Sequence, residues 1–170
     1  MGISIRFLQK PLTDQQRCAL FGWDNDVFQA ARYQLEWQPK TAHLLLYDDA
    51  SLASHVGLLQ HRVVVDEQSY RVGGVGGVVT LPHQQGKGYA SALMEEACRR
   101  MAAWHVDAGL LFCRPQLQKF YSRRDWTMVT APVTVHQAER IIEMPVQAMV
   151  KPVNLAAWPS GPVHVPGLPW

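Results

Sequence analysis

Apolar and polar residues alternate at the start of the chain, where Ile3, Ile5 and Phe7 are separated by Ser4 and Arg6, the two-residue period of a strand with one buried face. The period then changes. Leu12-Thr13-Asp14-Gln15-Gln16 offers an N-cap with a glutamine three positions on. Helical spacing runs from there to about Phe21, before Gly22 and the polar Asp24-Asn25-Asp26 interrupt it. A second short helical stretch is expected over about residues 27 to 35, and Pro39 marks a break. His43 to Tyr47 and Leu52 to Val65 read as a hairpin joined by Asp48-Asp49-Ala50-Ser51. After the turn Asp66-Glu67-Gln68-Ser69, a strand from Tyr70 to Leu81 carries Gly73, Gly74, Gly76 and Gly77. So much glycine in a strand predicts a bulge or a close backbone approach.

Pro82 ends that strand. Tyr89 to Trp104 is a strong amphipathic helix with Ala90, Leu93, Met94, Ala97 and Met101 on one face and Glu95, Glu96, Arg99 and Arg100 on the other. Ala108 to Cys113 fits a buried strand, a helix follows from about Pro115 to Arg123, and Trp126 to Val135 and Arg140 to Val150 are the expected closing strands. Early hairpins favour antiparallel pairing and later helical crossovers favour parallel pairing, so the fold class is α/β with a mixed sheet. One domain over residues 1–150 is expected, followed by a Pro-rich tail over 151–170. Pro152, Pro159, Pro162, Pro166 and Pro169 exclude a helix there, and leave it extended or disordered. Trp158 and Trp170 argue against simple disorder.

At 170 residues, with 48% hydrophobic and 18% charged content, the chain has the material for one full core. A formal charge of +2 with scattered basic residues argues against nucleic acid as the main partner. Met1 to Lys10 lacks the apolar core of a signal peptide, and no apolar run approaches the ~18 residues of a membrane span, so no membrane partner and a cytoplasmic address are expected. Cys18, Cys98 and Cys113 read as buried free thiols. No histidine pair has helical metal-ligand spacing, so no metal is expected, and His83 is retained as a candidate proton carrier.

The chemistry concentrates at Gln85-Gly86-Lys87-Gly88-Tyr89-Ala90. A strand, a glycine loop and a helix start present unpaired backbone N–H groups to one spot, the helix dipole adds positive potential, and Lys87 adds a mobile cation; such a spot binds anions. Two commoner phosphate motifs fail. Leu81 stands where a P-loop needs its first glycine and Gly88 replaces its Ser or Thr, while Ser91 occupies the third glycine position of the dinucleotide fingerprint.

With Gln85, Gly88 and Ala90 in the pattern [QR]-x-x-G-x-[GA], this segment resembles the GNAT acetyltransferases. So does Phe120-Tyr121 leading to Trp126, although Asp125 stands where the family usually has glycine. The resemblance implies a GNAT fold, a mixed central sheet of about seven strands flanked by about four helices, and acetyl-CoA as cofactor. It implies that backbone groups of Val78, Val79 and Thr80 pair with the pantetheine arm, as an added strand would, and that Gly86 to Ala90 hold the pyrophosphate. Lys119 or Arg123 would reach the 3'-phosphate or simply form a solvated helix face. Tyr121 matches the family's general acid; a core aromatic with a polar tip is the alternative reading.

More specifically, the chain is similar to aminoglycoside 2'-N-acetyltransferases, through Leu35-Glu36-Trp37, His43-Leu44-Leu45, Ala53-Ser54-His55, Gln60-His61-Arg62, Gly73-Gly74-Val75 and Trp170. This implies a small cationic amine as acceptor and a role in antibiotic resistance. A polycationic acceptor needs carboxylates, and Asp24, Asp26 and Glu36 are the candidates, with turn and cap roles as the alternative for Asp24 and Asp26. Those enzymes carry a glutamate where this chain has Gly76, so an expected acidic contact or base is missing; another carboxylate substitutes, or the acceptor is an atypical one such as kasugamycin. The Trp170 side chain and its free carboxylate are expected to line the acceptor pocket, with disorder or packing on a partner subunit as alternatives. Acetylation of another amine (a polyamine, amino acid, peptide or protein) and a non-catalytic CoA-binding module remain competing readings, and a homodimer is compatible with the sequence.

Overall fold

One long antiparallel hairpin organises the rest of the chain. In the computed structural model, which describes residues 2–170, the strands are β1 (Ile3–Leu8), β2 (Ala42–Asp48), β3 (Ser51–Val65), β4 (Gln68–Thr80), β5 (Ala108–Cys113), β6 (Thr127–Met128), β7 (Val133–Gln137), β8 (Arg140–Glu143), β9 (Gln147–Pro152) and β10 (Val163–Val165). The helices are α1 (Asp14–Phe21), α2 (Tyr89–Ala103) and α3 (Gln118–Ser122). β3 and β4 pair along almost their whole length through a two-residue loop. Asp66 and Glu67 there have φ of 48° and 68°, the left-handed pair that matches the twist of a tight hairpin. β1 and β2 extend this run on the β3 side. β5 joins β4 in parallel after the α2 crossover, and β9 and β6 follow antiparallel. The mixed α/β sheet is as expected, with ten strands in place of about seven. Three α-helices and three short 3-10 turns take the place of about four helices.

Two alternating faces explain how the sheet is covered. In β2, Leu44 and Leu46 pack under α2 with Leu93, Met94, Ala97 and Met101, while Leu45 points the other way, to Leu12 and Leu20 beside α1. Each fully buried Leu or Met contributes about 1.5–3 kcal/mol. The start of α1 is held as its sequence predicts, with a complete capping box between Thr13 and Gln16.

Several expectations need correction. β1 does not bury a full face: Ile3 and Ile5 are exposed, because β1 is an edge strand, and of that face Phe7 reaches the core, against Trp104 at 6.4 Å. Residues 27–35 form no helix beyond a 3-10 turn at Ala31–Tyr33, since Gln29 and Gln34 adopt positive φ on either side of it. The two closing strands are four shorter ones, broken around Pro132 and Pro145, which lack the N–H a ladder needs. Of the three thiols only Cys113 is buried; Cys18 is exposed and Cys98 half-buried. Within 151–170, β10 lies between β7, parallel, and the end of β3, antiparallel. Trp170 is buried in the core.

The feature that positions the site is a splay. β4 and β5 stay paired from Val72–Ala108 to Val75–Leu111, and their pairing ends there, leaving the β4 edge bare from Gly76 to Thr80. The bulge expected from the glycines lies at the same place. The β3–β4 register shifts between His55 and Gly57, and Gly77 takes φ of 59°, a conformation that favours glycine.

Candidate active site

From the bare end of β4 the chain turns through Pro82–Gln84 into the glycine loop, and the Gln85 amide donates back to the Thr80 carbonyl at 3.2 Å. Gly86 and Gly88 have φ of 79° and 81°, and no atom lies within 4 Å of where a Cβ would stand at either. Gly88 caps α2 without a side-chain bond. The first-turn N–H groups of this 15-residue helix therefore face an open space fit for an anion. Lys87 is not the mobile cation expected. Its Nζ donates to Gln84 Oε1 at 2.7 Å and to Asp48 Oδ2 at 3.3 Å, while the Tyr89 hydroxyl donates to the same Asp48 oxygen at 2.6 Å. The Tyr89 bond holds the Asp48 carboxyl below its usual range, and the same bond pushes the Tyr89 phenol up to about 12.

A cavity of about 710 Å³ opens at the splay. Val78, Val79, Thr80, Gln85, Tyr121, Asp24, Asp26 and Trp170 all line it, whereas Glu36 and Gly86 to Ala90 do not. Glu36 is exposed, with its backbone N–H bonded to Gln137. Asp24 and Asp26 make the turn and cap bonds of the alternative reading, Asp24 accepting the Asp26 N–H at 2.8 Å and Asp26 that of Ala30 at 2.9 Å, and both border the cavity. Tyr121 is buried in α3 against Phe120 and Trp126, and burial raises its phenol well above the usual value, which keeps the proton on. Lys119 and Arg123 are exposed and lie outside the cavity lining, as does the exposed His83. Asp125 occupies its glycine-like position with φ of 65°, which Asp tolerates better than most residues.

Three features escaped the sequence reading. The first is the aromatic wall of Trp23, Phe28, Tyr33 and Trp37, contributed by the irregular segment after α1. The second is a buried histidine pair: His55 Nδ1 lies 2.6 Å from the Gly77 carbonyl and its Nε2 lies 2.9 Å from His43 Nδ1. A carbonyl only accepts, so His55 carries its proton on Nδ1 and His43 donates to Nε2. Burial lowers both, His55 to about 3, and the neutral pair clamps the Gly77 bulge. The third is Lys40. Its stem crosses Gly57 and Gly76, which face each other across β3 and β4, and a Cβ at Gly76 would stand 2.5 Å from Lys40 Cε. Burial lowers its ammonium to about 8. No periodicity marks these residues, and only the fold brings them together.

Residues 10–129 match the sequence profile of the Acetyltransferase (GNAT) domain. The chain belongs to the GNAT acetyltransferase family. It is an acetyl-CoA-dependent acyltransferase, and acetyl-CoA is its cosubstrate. No curated protein sequence matches it. Among solved structures, the GNAT family N-acetyltransferase YhbS from Escherichia coli, in complex with CoA, aligns with a TM-score of 0.62 at 15% identity over 96% of this chain and 89% of that one. An acyl-CoA N-acyltransferase from Pseudomonas aeruginosa gives 0.58 at 20% identity over 88% and 99%. A GNAT family acetyltransferase from Brucella melitensis in complex with acetyl-CoA gives 0.54 at 15% over 94% of each. At these identities the likeness is one of fold. The open glycine loop, the uncapped start of α2 and the bare β4 edge are features that fit a pantetheine arm and a pyrophosphate. Among the described residues no helix is long and apolar enough to cross a membrane, and no group of three or more His, Cys, Asp or Glu is placed to hold a metal ion.

Proposed function

We propose that this GNAT enzyme acetylates a primary amine of an amino sugar, at the 2'-amino group of an aminoglycoside, and thereby confers antibiotic resistance. The observation that carries the reading is the cavity wall. Trp23, Phe28 and Trp37 offer aromatic faces for sugar C–H groups and ammonium cations above the buried Trp170, and Asp24 and Asp26 add carboxylates at the same opening. Lys40 and Arg114 also border the cavity, so its charge is mixed, which favours an acceptor with few amines such as kasugamycin over a strongly polycationic one. In this reading the edges of Val78, Val79 and Thr80 pair with the pantetheine arm. Gly86, Gly88, Tyr89 and Ala90 hold the pyrophosphate through backbone N–H groups, with Gln85 and Lys87 bracing the loop. Tyr121 supplies the proton to the leaving thiolate, and residues 151–170 complete the acceptor site through Trp170. The glutamate of the resembled enzymes has no counterpart at Gly76, where a Cβ would meet Lys40.

The test is a panel of amines with acetyl-CoA, read by free thiol release: kasugamycin, typical aminoglycosides, polyamines, amino acids and peptide N-termini. The expected result is the highest kcat/KM for an amino sugar, kasugamycin first. A preference of tenfold or more for a polyamine, amino acid or peptide overturns the acceptor assignment, and tight acetyl-CoA binding with no turnover of any amine overturns the catalytic one.

A further inference from the structure

Attack on a thioester needs a neutral amine, so something in the cavity must take the ammonium proton of the acceptor. The titratable side chains that border the cavity are few. Asp24 and Asp26 each accept an N–H of their own loop, and a carboxylate suits holding an ammonium by charge while being a weak base toward it. Arg114 is a guanidinium with no lone pair to offer. Tyr121 and Cys113 are held in their protonated forms by burial. The Tyr33 hydroxyl already accepts from Arg32 at 2.7 Å. His43 and His55 satisfy each other and the Gly77 carbonyl, and neither borders the cavity.

Lys40 remains, and the structure makes a path for it. Gly57 and Gly76 are cross-strand partners, and each lacks the Cβ that would collide with the Lys40 stem. The stem lies in this trough, and Nζ emerges beside Gly76, at the splay and next to Trp170. We infer that Lys40, laid through the Gly57–Gly76 trough, is the catalytic residue that accepts the proton of the acceptor ammonium.

The inference rests on the proposed amine acetylation. Lys40 Nζ takes one ammonium proton and the freed amine forms the C–N bond as the C–S bond breaks. The thiolate takes the Tyr121 proton, the surplus amide proton returns to Tyr121, and Lys40 releases its proton to solvent. Its depressed ionisation, to about 8, suits this task near neutral pH. The titratable groups around it are the uncharged His43 and His55 on the neighbouring strands and Asp24, Asp26, Arg114 and Tyr121 around the cavity, with the main-chain carbon of Trp170 on the same side of Gly76 as Nζ.

The experiment uses the full chain and the fastest amine of the panel. For the wild type, kcat should rise about tenfold per pH unit up to about pH 8. K40M fills the trough with a stem of similar length, and K40R keeps the charge but cannot act as a base. Both should lose about 100-fold in kcat near neutral pH, have the pH-dependent limb moved upward to the ionisation of the acceptor amine itself, and keep the thermal midpoint and acetyl-CoA affinity of the wild type. Competitive labelling of Lys40 with acetic anhydride, read by mass spectrometry, should titrate at about 8. Wild-type kcat in K40M or K40R, a limb that stays at its wild-type position, or an ordinary lysine titration of Lys40 overturns this role alone. A wild-type chain that acetylates no amine overturns the parent reading as well.

Discussion

Replacing Trp170 tests whether the end of the tail is part of the core. Its ring is 3% exposed, lies between His61 and Phe112 at centroid distances of 5.3 and 5.4 Å, and donates from Nε1 to the Leu110 carbonyl at 3.1 Å. Gly74 leaves room for it, since a Cβ there would stand 2.6 Å from Trp170 Cε2. Truncation to Ala removes the buried ring and leaves a cavity, at a cost of about 3–5 kcal/mol. For a chain of 170 residues each kcal/mol lowers the midpoint by about 2–4 °C, so W170A should melt about 6–20 °C lower. W170F keeps most of the apolar area and loses the Nε1 bond, at about 1–2 kcal/mol, or a few degrees. Calorimetric melting of both variants is the assay. A W170A midpoint within about 2 °C of the wild type refutes the packing argument, and equal losses in W170A and W170F would assign the effect to the hydrogen bond rather than to the ring.

Two further outcomes follow from the site. Y121F should lower kcat about 100-fold while acetyl-CoA affinity by titration calorimetry is unchanged; an equal loss in both would make Tyr121 a packing residue. His55 is driven to about 3 by burial, below its unfolded value near 6.5, so the folded protein resists protonation there. Its contribution is fully present above about pH 6.5 and is lost as pH falls toward 3, at about 1.4 kcal/mol per pH unit. Urea unfolding at successive pH values should show that slope reduced in H55Q; parallel profiles for the two proteins would contradict the neutral-pair assignment.

The chain determined by itself whatever depends on near neighbours. The capping box at Thr13, the periodicity of α2, the hairpin turns, the bulge signalled by the glycines and the open loop at Gly86 and Gly88 are all set within a few residues, by local hydrogen bonds, repeat period or φ. The resemblance of the glycine loop and of the Phe120-Tyr121 segment to the GNAT acetyltransferases is legible for the same reason, since each is a contiguous run of residues. Tertiary structure decided the rest. The same two-residue period in β1 faces solvent because nothing covers that edge. Lys87 lost its freedom to Asp48, 39 residues away in sequence. Trp170 reaches Leu110 across 60 residues, and β10 inserts beside β3 although its proline-rich surroundings carry no strand signal. Lys40 has a path only because two glycines on different strands face each other, and its ionisation is set by burial. A buried face leaves a period along a chain, but which segments cover it, and which distant residues meet there, do not.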